Sequence, residues 1–417
     1  MDTIDTLVIG AGHAGLAVSH LLARAGREHV VIDRGRVAES WRSERWDSLH
    51  LLTPRWMTRL PGWWYDGPDQ EGFMPGEELV RHLERYAATN AGPLVLGEPV
   101  EELRLAREHY LVRTPGCTWR ARNVVVATGP GRPRVPEGLE GLAADVHVMP
   151  AAAYRNPQQL PPGGVLVVGA SASGAQLADE LVRSGRRVTL AVGNHTRVPR
   201  RYRGLDLFWW LEATGRLGRS AHGPAPREPA PSMQLVGRST ADPRGTEVDL
   251  PTLQALGVEL TGRLRAAEDS VVELADDLAA TTDRADARLR RLLDSLDDHA
   301  TAHGLDAELD PRHRPATLAG GPARQRLDLR REGIGTVLLA TGSQPHHPWL
   351  RVPVVDSGGR VRHRRGVTAA PGLYVVGQPF SRRPTTPYLD GARADALDVV
   401  AHLCTRQAGS AAAAVGS

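Results

Sequence analysis

The 417-residue chain contains no lysine, and all 51 of its basic residues are arginine. Without lysine there is neither a Schiff-base nucleophile nor a Walker-type phosphate loop, so pyridoxal enzymes and P-loop NTPases are excluded. Cysteine is nearly as scarce. Cys117 and Cys404 are the only two, and they cannot form a CxxC redox pair, a zinc cage or an iron–sulfur ligand set. Any redox chemistry must come from an organic cofactor. A charge excess is missing too, because 51 arginines face 48 acids for a net +3. The pI near 9.1 reflects arginine rather than a basic arm, so no nucleic-acid partner is expected. The apolar stretch from Thr6 to Val18 is broken by glycines and has no basic leader. Neither a signal peptide nor a membrane span is expected, and the expected location is the cytoplasm. No Ser–His–Asp order, carboxylate pair or metal-ligand spacing stands out, and no metal site is expected.

What the chain does contain is the composition of a soluble globular protein, 41% hydrophobic and 24% charged, and a length suited to two or three domains. One pattern occurs twice. Residues 6–33 read as strand (Thr6 to Ile9), the turn Gly10-Ala-Gly12-His-Ala-Gly15, helix (Leu16 to Arg24), a Gly26 stop, and strand (Val30 to Asp33). Gly10 permits the tight turn, Gly12 lets the backbone approach a pyrophosphate, and Gly15 allows close helix packing. The helix N-terminus favours the phosphates. Asp33, 23 residues after Gly10, stands where a carboxylate accepts ribose hydroxyls.

The second copy runs from Val165 to Val192, with the turn Gly169-Ala-Ser171-Ala-Ser173-Gly174. Here the position equivalent to Asp33 is Val192, and Arg197, Arg200 and Arg201 follow it. A carboxylate would repel a ribose 2′-phosphate and arginines can hold one bidentately, so the first turn suits FAD and the second NADPH. Two buried-strand runs end in Ala-Thr-Gly, at Ala127-Thr128-Gly129 and Ala340-Thr341-Gly342. A third strand run ends in Gly377-Gln378.

With these motifs in order, nearly the whole chain resembles the two-dinucleotide-domain flavoproteins, in particular the class B flavin monooxygenases and their bacterial relatives. The GxSxSG form of the second turn is characteristic of their NADPH site. Thioredoxin reductase-like proteins share the scaffold but need a cysteine pair that is absent here. The resemblance implies an α/β fold of two Rossmann-like domains, with the NADPH domain inserted into a discontinuous FAD domain. The layout expected is 1–155 plus 331–409 for FAD, 156–330 for NADPH with a helical insertion at about 265–305, and a flexible tail at 410–417. It also implies FAD contacts from Gly10, Gly12, Gly15, Asp33, Arg34, Trp41, Arg42, His50, Val100, Ala127, Thr128, Gly129, Gly377 and Gln378. NADPH contacts are implied for Gly169, Ser171, Ser173, Gly174, Arg197, Arg200, Arg201, Thr341 and Gly342. His50, Thr53 and Tyr154 are the catalytic candidates.

Three departures from the family pattern stand out. The fingerprint between the two Rossmann units is degenerate, with His147 displaced after Gly141. Pro54 stands where N- and S-oxygenating relatives place an asparagine, and Gln378 stands where many flavoproteins have aspartate. Apolar residues at helical spacing from about Ser270 to His303, among them Leu274, Leu278, Ala285, Leu289, Leu292 and Leu296, predict a helix with one apolar face. That face would pack on its own domain or serve as a lid or homodimer contact. Residues 217–255, rich in Pro, Gly, Ser and Arg, read as a long excursion. Trp41, Trp46, Trp56, Trp63 and Trp64, together with Phe208-Trp209-Trp210, would line a site for a flat or apolar substrate. The resemblance implies an FAD- and NADPH-dependent monooxygenase using O2 on a small organic substrate, with N-, S- or Baeyer–Villiger-type transfer through a C4a-hydroperoxyflavin. An NADPH-dependent flavin oxidase or reductase, or a redox-sensing flavoprotein, is the alternative.

Overall fold

The computed structural model describes residues 2–218, 232–235, 237–238, 247–318, 323–378 and 388–415. In chain order, the elements that frame the site are β1 (Asp2–Ile9), α1 (His13–Arg24), β2 (His29–Asp33), β3 (His50–Pro54), β4 (Thr118–Val126), β5 (His147–Pro150), β6 (Gly164–Val168), α2 (Ala172–Arg183), β7 (Val188–Ala191), β8 (Glu259–Thr261), α3 (Leu278–Ala302), β9 (Ile334–Leu339), β10 (Leu373–Val375) and α4 (Leu389–Val415).

The first sheet runs in the order Leu94–Leu96, β2, β1, β4, β10, and these neighbours are parallel throughout. Its central strands are continuous apolar runs because helices or a second layer cover both faces. Val8 and Val125 point into the core under α1 and α4, while Leu7 and Val124 point into the opposite cluster with Leu103 and Tyr110. The second sheet is parallel in the order β8, β7, β6, β9, β5. In each, the order reverses beside the glycine turn, between β1 and β4 and between β6 and β9. Ligands of open α/β sheets bind at that switch point.

Strand pairing moves the expected domain limits. β5 and β9 both belong to the second sheet, register His147↔Thr336 to Pro150↔Leu339, so the inserted domain begins before 156 and ends after 330. An edge strand is chosen by backbone pairing with distant residues, which local pattern does not report. The expected helix is also shorter at its start. Leu264–Asp269 and Val271–Leu274 form an antiparallel hairpin, turned at Asp269 with φ +51°, and helix begins only at Leu278. Leu274 is therefore a strand residue, and the Val271-Val272 pair favours strand over helix. From Leu289 onward the apolar face does form, and Leu289, Leu293, Leu296 and Ala300 bury against Tyr202 and Trp210 of their own domain.

Within the 217–255 excursion, residues 219–231, 236 and 239–246 lie outside the described residues, and Leu250–Ala255 is a helix capped by the Asp249 carboxylate. α4 runs to Val415, through most of the expected tail. Among the described residues, no helix is long and apolar enough to cross a membrane.

Candidate functional site

The first glycine turn divides into two glycines that the protein itself requires and one that it does not. Gly10 has φ +118°, and a Cβ there would overlap the carbonyl oxygen of Ala127. A Cβ on Gly15 would overlap the carbonyl oxygen of Gly10, whereas on Gly12 it would meet nothing within 4 Å. Open space over the N-terminus of the twelve-residue α1 is what a pyrophosphate needs. Asp33 sits at the end of β2, where Oδ2 accepts the Ala11 amide at 2.6 Å and Oδ1 the Gly35 amide at 2.8 Å. A cleft lined by Arg34, Gly35, Arg36, Glu39, Leu96 and Gly97 opens beside it.

The other residues expected at FAD have the following surroundings. Gly377 lies so close to α1 that its Cβ would stand 2.8 Å from Ala14 Cβ. The neighbouring Gln378 amide donates to His347 Nε2 at 3.3 Å, and His347 Nδ1 donates to Gly359 O at 3.3 Å. Trp41 packs against the cores of both domains under the Arg45 guanidinium. Arg42 donates to Val37 O and pairs with Glu84, and exposed Arg34 pairs with Glu44. Gly129, with φ +71°, and exposed Thr128 follow β4. Val100 packs half-buried in the cluster of Leu103 and Tyr110. Sequence reasoning missed His13, the first residue of α1, whose Nε2 is buried without a partner. Burial pushes its pKa down to about 4. A bulky imidazole at a variable position of the glycine turn was the available signal.

The second turn repeats the first. Gly169 has φ +106° and its Cβ would stand 2.5 Å from Ala340 O, while a Cβ on Gly174 would overlap Gly169 O. Ser171 begins α2 without capping it through its side chain, and Ser173 is exposed. Thr341 Oγ1 donates to Arg134 O at 2.5 Å, and Gly342 O accepts the Arg134 amide at 2.9 Å.

Two of the three arginines expected at a 2′-phosphate point the other way. Arg197 is 5% exposed and is held by Asp249 at 2.5 Å, Asp286 at 2.8 Å and Ala316 O at 2.7 Å. Arg200 is 4% exposed, lies bidentate on Asp206 and donates to Leu52 O. Residues 197–200 are all buried and Arg201 is exposed, where it donates to Gly204 O. A buried guanidinium without carboxylates would be prohibitive; those of Arg197 come from 52 and 89 residues away and that of Arg200 from six. The arginines that border the loop after β7 come from elsewhere in the chain. Arg284 of α3 donates to Asn194 Oδ1 at 3.3 Å, and the Arg263 side chain lies 3.8 Å from the Cβ position of Gly193.

Among the catalytic candidates, His50 Nδ1 donates to Ser48 O at 3.0 Å, which leaves Nε2 as an acceptor. Thr53 is buried next to Pro54. Tyr154 is wholly buried and its hydroxyl donates to Glu180 at 2.9 Å. The tryptophans do not form one wall. Trp46 lies in the second domain's core and Trp63 packs on the first, Trp64 is exposed, and Trp210 is buried beside α3. Trp209 and Trp210 meet edge to face at 5.3 Å, and Trp56 and Phe208 share a cluster with Leu52, Met57, Val198 and Tyr388.

The match to known proteins agrees with this pair of dinucleotide turns. The family model of pyridine nucleotide-disulphide oxidoreductases matches residues 7–203. A CzcO-like oxidoreductase of Geobacillus kaustophilus is 30% identical over 400 residues, 94% of this chain and 96% of that one. The chain belongs to the CzcO-like oxidoreductases. Rice indole-3-pyruvate monooxygenase YUCCA1 is 33% identical over 48% of this chain and 51% of its own. A flavin-containing monooxygenase from Stenotrophomonas maltophilia shares the fold, with TM-score 0.66, 20% identity and coverage of 97% and 99%. Like that structure, this CzcO-like oxidoreductase is a two-domain α/β protein.

Proposed function

We propose that this CzcO-like oxidoreductase is an FAD- and NADPH-dependent monooxygenase acting on a small organic substrate. The observation that carries the reading is the pair of dinucleotide turns in a chain with no redox-active disulphide. Cys117 Sγ donates to Asp2 at the start of β1 and Cys404 lies on α4 against the first core, so electrons have no disulphide acceptor. Bound FAD would supply the two-electron carrier between NADPH and O2. The chain's part is to bind and enclose. The amides at the start of α1 and Asp33 would hold FAD, α2 would hold the pyrophosphate of NADPH, and Arg201, Arg263 and Arg284 would bind its 2′-phosphate. The segment around β3 would keep water from the reacting face of a bound flavin. The similarity to an indole-3-pyruvate monooxygenase supports oxygen transfer.

Pro54 favours a second reading, an NADPH oxidase, because it offers no side-chain amide where oxygenating relatives place one. The deciding experiment mixes NADPH-reduced protein with O2 and measures peroxide with sulfides, amines, ketones and flat aromatic compounds. A substrate that lowers peroxide and yields an oxygenated product supports the monooxygenase. Stoichiometric peroxide with every compound turns the assignment to an oxidase, and tight FAD with negligible NADPH turnover would indicate a redox sensor.

A further inference from the structure

The segment that contains His50 and Thr53 belongs by sequence to the first domain, yet it is held from both domains. In its own domain β3 pairs with Phe73–Pro75, through His50↔Pro75 and Pro54↔Phe73 with a register shift between them, and Leu51 is buried in the first core with Leu60, Met74 and Leu79. Trp46 and Leu49, just before β3, are buried in the second domain's core with Ala175 and Ala178 of α2. Met57, just after it, is buried with Val198 and Phe208.

Two polar anchors hold the strand, one just before it and one at its centre. Ser48 Oγ donates to Glu180 Oε1 at 2.8 Å, and the other oxygen of Glu180 accepts the Tyr154 hydroxyl at 2.9 Å. Four residues on, Leu52 O accepts from Arg200 Nη1 at 2.6 Å. Arg200 is not free to swing. Asp206 takes its Nε at 2.9 Å and Nη2 at 3.0 Å, and its guanidinium lies over the rings of Phe73 at 4.5 Å and Phe208 at 5.6 Å. A fork held on one edge by a carboxylate and stacked on aromatic faces presents its remaining N–H in a fixed direction. His50 sits between the anchors, its ring tied to the carbonyl of Ser48.

We propose that Glu180 and Arg200 are positioning residues that hold His50–Pro54 from the second domain, so that occupancy of the NADPH turn sets the order of the wall facing the flavin. Glu180 lies on α2, the helix whose first turn is the second dinucleotide turn. Ordering α2 by a bound nucleotide therefore reaches Ser48 directly. The role as a flavin wall rests on the function proposed above; the mechanical link rests on the contacts alone.

The test is amide hydrogen exchange on the full-length, FAD-loaded protein with and without NADP⁺. In the unmodified protein NADP⁺ slows exchange over residues 48–54. In Glu180→Ala and Arg200→Gln, each with FAD still bound at one copy per chain, exchange in that segment rises roughly two- to twelvefold per hydrogen bond lost, while β1 and β6 keep their protection. Glu180→Ala also removes the NADP⁺ effect on 48–54, and Arg200→Lys restores part of the lost protection, which general destabilisation would not produce. If Arg200→Gln fails to fold, Ser48→Ala, which deletes only the hydroxyl facing Glu180, carries the same expectation. Unchanged exchange at 48–54 in both Glu180→Ala and Ser48→Ala overturns the proposal, whatever product the enzyme makes. Altered exchange together with stoichiometric peroxide from the unmodified protein overturns the monooxygenase reading and leaves the positioning role standing.

Discussion

Gly10 is pressed against the carbonyl of Ala127, close enough that any side chain at Gly10 would overlap the backbone at the end of β4. This contact joins β1 to the strand across the switch point and leaves the mouth between them to a ligand. The neighbouring Gly12 has no such contact. Two glycines of one turn thus answer to different masters, the fold and the cofactor.

Substitution should separate them. Gly12→Val is expected to fold with an unchanged circular dichroism spectrum and to lose its flavin, because the new side chain occupies only the pyrophosphate's space. Gly10→Val should be destabilised by more than about 3 kcal/mol, from overlap and a disallowed positive φ. Full FAD occupancy in purified Gly12→Val would refute the assignment of the first turn.

The second pair of variants concerns the arginines. Arg197→Ala leaves Asp249 and Asp286 buried without their cation, and a loss of about 3–5 kcal/mol in unfolding free energy is expected from denaturant titration. Arg284→Ala should leave stability nearly unchanged and raise the KM for NADPH roughly tenfold, the equivalent of one charge-assisted contact, with NADH unaffected. Equal KM ratios for the two nucleotides before and after the change would remove Arg284 from the 2′-phosphate site.

Tyr154→Phe distinguishes a positioning hydroxyl from a reacting one. Losing its bond to Glu180 should cost about 0.5–1.5 kcal/mol of stability and leave the rate of flavin reduction within a few-fold of the parent. A thousandfold fall in that rate would mean that the hydroxyl takes part in chemistry.

Acid sensitivity follows from two buried imidazoles. Burial lowers the pKa of His13 and of His82 to about 4 each, below the ordinary value of 6.5. The folded state therefore binds fewer protons than the unfolded chain between those values. Their contribution to stability is complete above pH 6.5 and is lost as pH falls toward 4, by up to about 1.4 kcal/mol per pH unit for each. Chemical denaturation of the apoprotein at several pH values should show this slope, and His82→Gln should reduce it. A slope unaffected by His82→Gln would assign the acid sensitivity elsewhere.

What the sequence determined by itself were the features written within a single strand–turn–helix. Gly10 to Asp33 and Gly169 to Val192 are local because a tight turn, a helix start and an apolar strand are decided by residues a few positions apart. The two Ala-Thr-Gly ends and the missing cysteine pair were legible for the same reason, and with them the fold class. Tertiary structure decided the rest, because it depends on what a residue meets across the chain. Arg197 and Arg284 are both arginines near the second turn, yet burial beside Asp249 and Asp286 spends one on folding while exposure beside Asn194 leaves the other at the loop. β5 entered the second sheet because its backbone found β9. The wall around His50 took its place from Glu180 and Arg200, 132 and 148 residues away from their partners. Desolvation is the common cause, since a charge or a free backbone group withdrawn from water must find its partner wherever the fold supplies one.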